Sequence, residues 1–159
     1  MNLPDQALIL RREAVVREHI AAENAHDVDR ALTTFATPHY WVHPLGAESP
    51  GAEAVAGLLG ALFGAFPDFA FSPARTYHAS QAVVVEGRMT GTHRGPWAGQ
   101  AASGRPIDLM VCCLFHFEGD RLMSESVYFD HATLLSQIGL IAHLFSLLVP
   151  ALGAQFAGI

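Results

Sequence analysis

From residue 5 to 23 the apolar positions Leu8, Val15, Val16 and Ile20 fall at roughly helical intervals between charged residues, which predicts a helix. Asn24-Ala25-His26-Asp27 interrupts it, and Asp27 is placed to cap a second helix that runs to Phe35 and ends before Pro38. His39-Tyr40-Trp41-Val42-His43 reads as a short aromatic strand, closed by Pro44 and a loop through Ser49. Ser49 and Pro50 suit the cap and first position of a third helix over residues 51–65, which Phe66-Pro67-Asp68 stops.

Beyond that point the pattern changes to strands. Runs over residues 69–78 and 81–92 are joined by Ala79-Ser80, a link of hairpin length. A Gly- and Pro-rich loop occupies 94–105, and 107–117 is a third run, continuous enough to be buried on both faces. The turn Glu118-Gly119-Asp120 leads into a last strand, Leu122 to Asp130. Helices first and an antiparallel strand series after them predict an α+β fold, a curved sheet folded over its N-terminal helices around a cavity. Residues 1–140 read as a single domain. From Ala132 to Ile159 there is no charged residue, and 141–159 is expected to be an apolar helical extension packed on the domain or on a partner subunit rather than a bilayer anchor.

Charge narrows the function. A net charge of -6 over 159 residues argues against a nucleic-acid partner, which needs clustered cations. All nine basic residues are Arg, so Schiff-base chemistry through a lysine is excluded and carbonyl chemistry must proceed by acid and base. Cys112 and Cys113 are adjacent, a spacing that suits neither an internal disulfide nor zinc, and no metal or other cofactor is expected. The first residues lack the order of a signal peptide, so a cytoplasmic location is expected.

Asp130, at the end of the last strand, is the first catalytic candidate, although the same carboxylate could simply cap the following helix. Its strand would turn the polar phase Ser124, Ser126 and Tyr128 to the cavity, leaving Glu125 to pair with Arg88 on the outer face. Asp108 would pair with Arg105. His93, in Gly91-Thr92-His93-Arg94-Gly95, is the second candidate, as a donor to a developing oxyanion. His43, Tyr40, Trp41, Met89, Trp97, Met110 and Tyr128 are candidates for substrate contact.

Several segments follow one known order: Asn24-Ala25-His26-Asp27, His43-Pro44, Pro50-Gly51 opening a helix, Phe66-Pro67-Asp68, Gly91-Thr92-His93-Arg94-Gly95, Ser103-Gly104-Arg105, Phe117-Glu118-Gly119-Asp120, Tyr128-Phe129-Asp130 and Gln137-Ile138-Gly139. In this the chain resembles the SnoaL-like polyketide cyclases of the NTF2-like superfamily, over about residues 12–140. The resemblance implies a cone-shaped α+β barrel with a deep apolar pocket and a homodimer. It also implies a cofactor-free intramolecular aldol closure of a small, hydrophobic carbonyl substrate, with Asp130 as acid/base and His93 holding the oxygen. Lyase or isomerase chemistry of the same kind is included. The alternatives are a non-catalytic small-molecule binder and an epoxide hydrolase or hydratase.

Overall fold

The computed structural model describes residues 4–97 and 99–140; the expected extension over 141–159 lies outside them. Helix α1, Gln6–Asn24, is capped by the Asp5 carboxylate, which accepts from the Leu8 N–H at 2.8 Å. Asp27 does the same for α2, Val28–Thr33, accepting from Arg30 N–H at 3.0 Å. Strand β1, His39–Val42, is followed by a single 3₁₀ turn, His43–Leu45, strand β2, Ala47–Pro50, and helix α3, Ala52–Ala65. Strands β3 (Ala70–His78), β4 (Ala82–Thr92), β5 (Pro106–Glu118) and β6 (Arg121–Phe129) precede a short helix α4, His131–Gln137.

The strands make one curved, unclosed sheet in the order β2-β1-β6-β5-β4-β3. All pairings are antiparallel except β1 with β6, which run parallel with Tyr40 beside Glu125 and Val42 beside Val127. The chain therefore places its first strand directly against its last. The expected loop before α3 is instead the edge strand β2, because Ser49 pairs with Tyr40. Ser49 lies in β2 and the N-cap of α3 is Gly51, whose φ of +84° suits glycine.

The core lies between the concave face of the sheet and the helices. Along β5 the side chains alternate strictly: Ile107, Leu109, Val111, Cys113, Phe115 and Phe117 point inward. The inward stripe of α1 is unusual, since Arg12, His19 and Glu23 share it with Val16 and Ile20. The buried Arg12 guanidinium donates to Gly119 O at 2.7 Å and to Ala79 O and Ser80 O at 3.3 and 3.2 Å. It thus fastens the β3–β4 and β5–β6 turns to one helix. At the other end of α1, the Asn24 amide pairs with both backbone groups of Phe71, at 2.8 and 2.7 Å.

The motifs behind the resemblance form a structural joint. Asp68 accepts from Thr92 N–H and Thr92 Oγ1, each at 2.6 Å, and this holds its carboxyl below the usual range. Arg94 and Gly95 donate their N–H groups to Ala65 O at 2.8 and 3.1 Å. This seats Gly95 so close to α3 that an added Cβ would lie 2.2 Å from Gly64 O. Among the described residues no helix is long and apolar enough to cross a membrane.

Candidate active site

Three elements bring four polar side chains together beneath the sheet. His19 and Glu23 stand one turn apart on α1, Tyr40 comes from β1, and Glu125 lies opposite Tyr40 on β6. All four are buried, His19 completely and Glu125 to 2% exposure.

The hydrogen bonds fix where the protons are. Thr34 Oγ1 donates to Ala31 O at 2.7 Å, so toward His19 Nδ1, 2.6 Å away, it can only accept. Nδ1 therefore carries a proton. Tyr40 spends its hydroxyl proton on Glu23 Oε1, so its oxygen can only accept from His19 Nε2 at 2.7 Å. Both ring nitrogens are protonated and His19 is an imidazolium. Burial alone would push its pKa down, but the nearby charges of Glu23 and Glu125 outweigh this and lift it to about 10.

Two carboxyls thus face one cation. Burial, then the charge of Glu23, raise the pKa of Glu125 above the ordinary carboxyl range. Burial and the same two carboxylates raise the Tyr40 phenol as well. His19 Nε2 is 3.1 Å from Glu125 Oε2, but its N–H is directed at Tyr40, and Oε2 has no hydrogen-bond partner among the described residues. His19, Glu23 and Glu125 place ligand-type atoms within 4.8 Å of one another. In the hydrogen-bonded arrangement the Nε2 lone pair is taken by a proton, and the cluster is a buried imidazolium set against two carboxyl groups.

Glu23, Tyr40 and Glu125 open onto a cavity of about 750 Å³, counted out to its mouth. The part open to the centre of a water molecule is only about 80 Å³, so the cleft is narrow. Its remaining wall is almost wholly apolar, from Leu58, Leu62, Phe69, Phe115, Val127 and Phe129 among others.

Of the side chains expected from sequence to contact substrate, Tyr40, Met89 and Trp97 line this cavity. His43, Trp41, Met110 and Tyr128 do not. Strand alternation decides it: Tyr40 and Val42 take the inner phase of β1, and Leu109 and Val111 that of β5, which turns Trp41 and Met110 outward. His43 follows them, stacked between Trp41 and Tyr128 with ring centroids 5.7 and 4.3 Å apart. The phase of β6 is likewise the reverse of the expected one, since Glu125, Val127 and Phe129 face the cavity. Arg88 pairs with Asp108 on the outside instead of with Glu125, which leaves Arg105 without the expected partnership.

Asp130 is exposed and caps α4, accepting from Thr133 N–H at 3.1 Å and Thr133 Oγ1 at 2.6 Å. Those bonds hold its carboxyl below the ordinary range. His93 is buried but stands behind the wall, its ring 5.5 Å from that of Phe66. Its Nδ1 accepts from the Ser103 N–H at 3.2 Å, and burial lowers its pKa. Neither Asp130 nor His93 lines the cavity.

Sequence reasoning passed over His19, Glu23 and Glu125 as site residues. A signal was present: positions 12, 16, 19, 20 and 23 form one helical stripe, so the His and Glu share a face with Val16 and Ile20.

A curved sheet folded over helices, with an apolar cleft and ionisable groups at its floor, is the NTF2-like, ketosteroid isomerase-like architecture. The SnoaL-like polyketide cyclase family model matches residues 13–138, and the chain belongs to that family. Among solved structures it is similar to a candidate polyketide cyclase from Xanthomonas campestris pv. campestris, at 17% identity and a TM-score of 0.74, covering 82% of this chain and 98% of that one. TsrD from Streptomyces laurentii superposes with a TM-score of 0.70 at 21% identity, over 86% and 98% of the two chains. A protein of ketosteroid isomerase-like fold from Catenulispora acidiphila gives 0.69 at 22% identity, over 79% and 92%. No curated protein sequence matches significantly.

Proposed function

We propose that this chain is a cofactor-independent acid/base enzyme of the cyclase type, closing or isomerising a small, hydrophobic carbonyl compound, with Glu125 as the group that moves the proton. The observation that carries the reading is Glu125 Oε2, which accepts no hydrogen bond among the described residues, on a carboxyl that lines an apolar cleft and whose pKa is raised. A base of that kind is matched to removing a proton acidified by a neighbouring carbonyl near neutral pH. In a ring closure Glu125 takes the α-proton, the enolate carbon bonds to a second carbonyl carbon, and the resulting alkoxide takes the proton back. His19, through Tyr40 and Glu23, supplies a fixed positive charge beside Glu125 that water cannot screen.

The test is deuterium exchange at the α-carbon of simple ketones and β-keto esters in D₂O, followed by proton NMR. Exchange clearly above the buffer rate is expected; none across the panel would sink the proposal. Silence there with ligand binding retained would favour the non-catalytic binder, a reading supported by the placement of Asp130 in solvent. An epoxide hydrolase is less well supported, because no arginine is among the residues lining the cleft.

The proposal includes a homodimer formed through the outer face of the sheet. Met110, Tyr128 and Trp41 are 63%, 42% and 36% exposed there, a grouping of large apolar side chains that suits a subunit contact. Light scattering should give twice the chain mass, and Met110→Glu should shift it to the monomer.

A further inference from the structure

Among the described residues, five buried side-chain atoms lack a hydrogen-bond partner: His78 Nδ1, His93 Nε2, Trp97 Nε1, Glu125 Oε2 and His131 Nε2. Only Trp97 and Glu125 of these residues line the cleft. An indole N–H can donate and do nothing else, so burial without an acceptor is costly unless a ligand or water supplies one.

Trp97 is held firmly where it stands. Its backbone N–H donates to Gln100 O at 3.0 Å and its carbonyl accepts from Gln100 N–H at 2.8 Å, closing a tight turn through Gly99, whose φ is +76°. Its ring meets Phe66 edge-on, at 5.7 Å and 67° between planes. The indole is therefore a fixed donor on a wall that otherwise offers little polarity. Glu125 comes from the last strand and Trp97 from the loop after β4, so two different elements each bring one orphaned group to the cleft lining.

We infer that Trp97 is a second polar anchor in the cleft, and that the occupant carries two carbonyl groups, one accepting from the Trp97 indole N–H and the other acidifying the C–H that faces Glu125. This rests on the carbonyl reading above and adds a specificity determinant to it. The apolar wall between the anchors contributes affinity without direction, whereas the two anchors fix which way round the molecule lies. A compound with one carbonyl leaves an anchor unpaired and is discriminated against for that reason.

The experiment compares acetylacetone and its longer diketone homologues with monoketones of equal carbon count. Binding is followed on protein labelled with ¹⁵N in tryptophan, which has two indole signals, Trp97 and the outward-facing Trp41 as internal control. One diketone length should bind about tenfold or more tighter than its monoketone, in keeping with the loss of one hydrogen bond to a buried group. It should move the Trp97 indole signal downfield and leave that of Trp41 in place. Trp97→Phe should bring the affinity ratio close to one. Ketone binding with no diketone preference, or a preference that survives Trp97→Phe, overturns the inference and leaves the carbonyl reading standing. If neither ketone class binds, the carbonyl reading falls and the inference falls with it.

Discussion

Replacing His19 with leucine is expected to destabilise the fold by about 3–5 kcal/mol, the usual cost of removing one partner from a buried ion pair. The substitution leaves Glu23 and Glu125 beneath the sheet with no cation and Thr34 Oγ1 without its donor. Adding Glu125→Leu should recover much of the loss, because an apolar replacement of the whole pair removes the stranded charge. Urea or thermal unfolding measures both, each kcal/mol moving the midpoint by roughly 2–4 °C for a chain of this size. A loss under about 1 kcal/mol would mean that the pair behaves as a surface contact.

The same cluster sets the pH dependence. His19 and Glu125 both have pKa values raised by folding, so the folded state holds protons that the unfolded chain releases. The contribution of His19 is complete below about 6.5, its unfolded value, and is lost as pH rises through about 10. Glu125 acts in the same direction at lower pH. Stability should therefore decline toward alkaline pH, and His19→Leu should flatten that decline.

Glu125→Gln is expected to slow α-proton exchange by about 10²- to 10⁴-fold, the range typical for removing a general acid/base. Stability should change little, because the amide keeps the shape of the carboxyl and Glu23 remains as the counter-charge to His19. Asp130→Asn provides the contrast. Its carboxylate caps α4 in solvent, so exchange should stay within about twofold of wild type, and stability should change by less than about 1 kcal/mol, because Asn caps a helix about as well as Asp and only the charge at the helix start is lost. Equal rates for wild type and Glu125→Gln, or a collapse in Asp130→Asn, would return the base to the strand end.

The α+β class and most of the strands were legible because period-two alternation and turn residues mark them directly. The direction in which β6 faces was not. Ser124, Ser126 and Tyr128 look like a polar cavity lining, and Glu125 looks like a surface charge, until the parallel pairing sets Glu125 beside Tyr40 and over His19. That pairing joins the chain's early and late segments, and no local pattern encodes it. The motif Gly91-Thr92-His93-Arg94-Gly95 was legible as a landmark but misleading as chemistry. Its residues hold a loop on α3 and meet Asp68 and Ser103. Chains that share these landmarks share a frame; what they catalyse depends on whichever residues occupy the inner phase of the strands.

The parallel contact of β1 with β6 also bears on how the chain avoids a wrong structure. A slip of β6 by one residue would send Glu125 to the outer face and bring Ser124 or Ser126 inside, leaving His19 and Glu23 facing hydroxyls. Apolar strands tolerate such slips when the substituted side chains are of similar kind. Here the misaligned sheet would bury a charged helix face without its counterpart. The buried cluster thus acts as a check on register: of the two strand phases, only the one that turns Glu125 inward sets a carboxyl against His19.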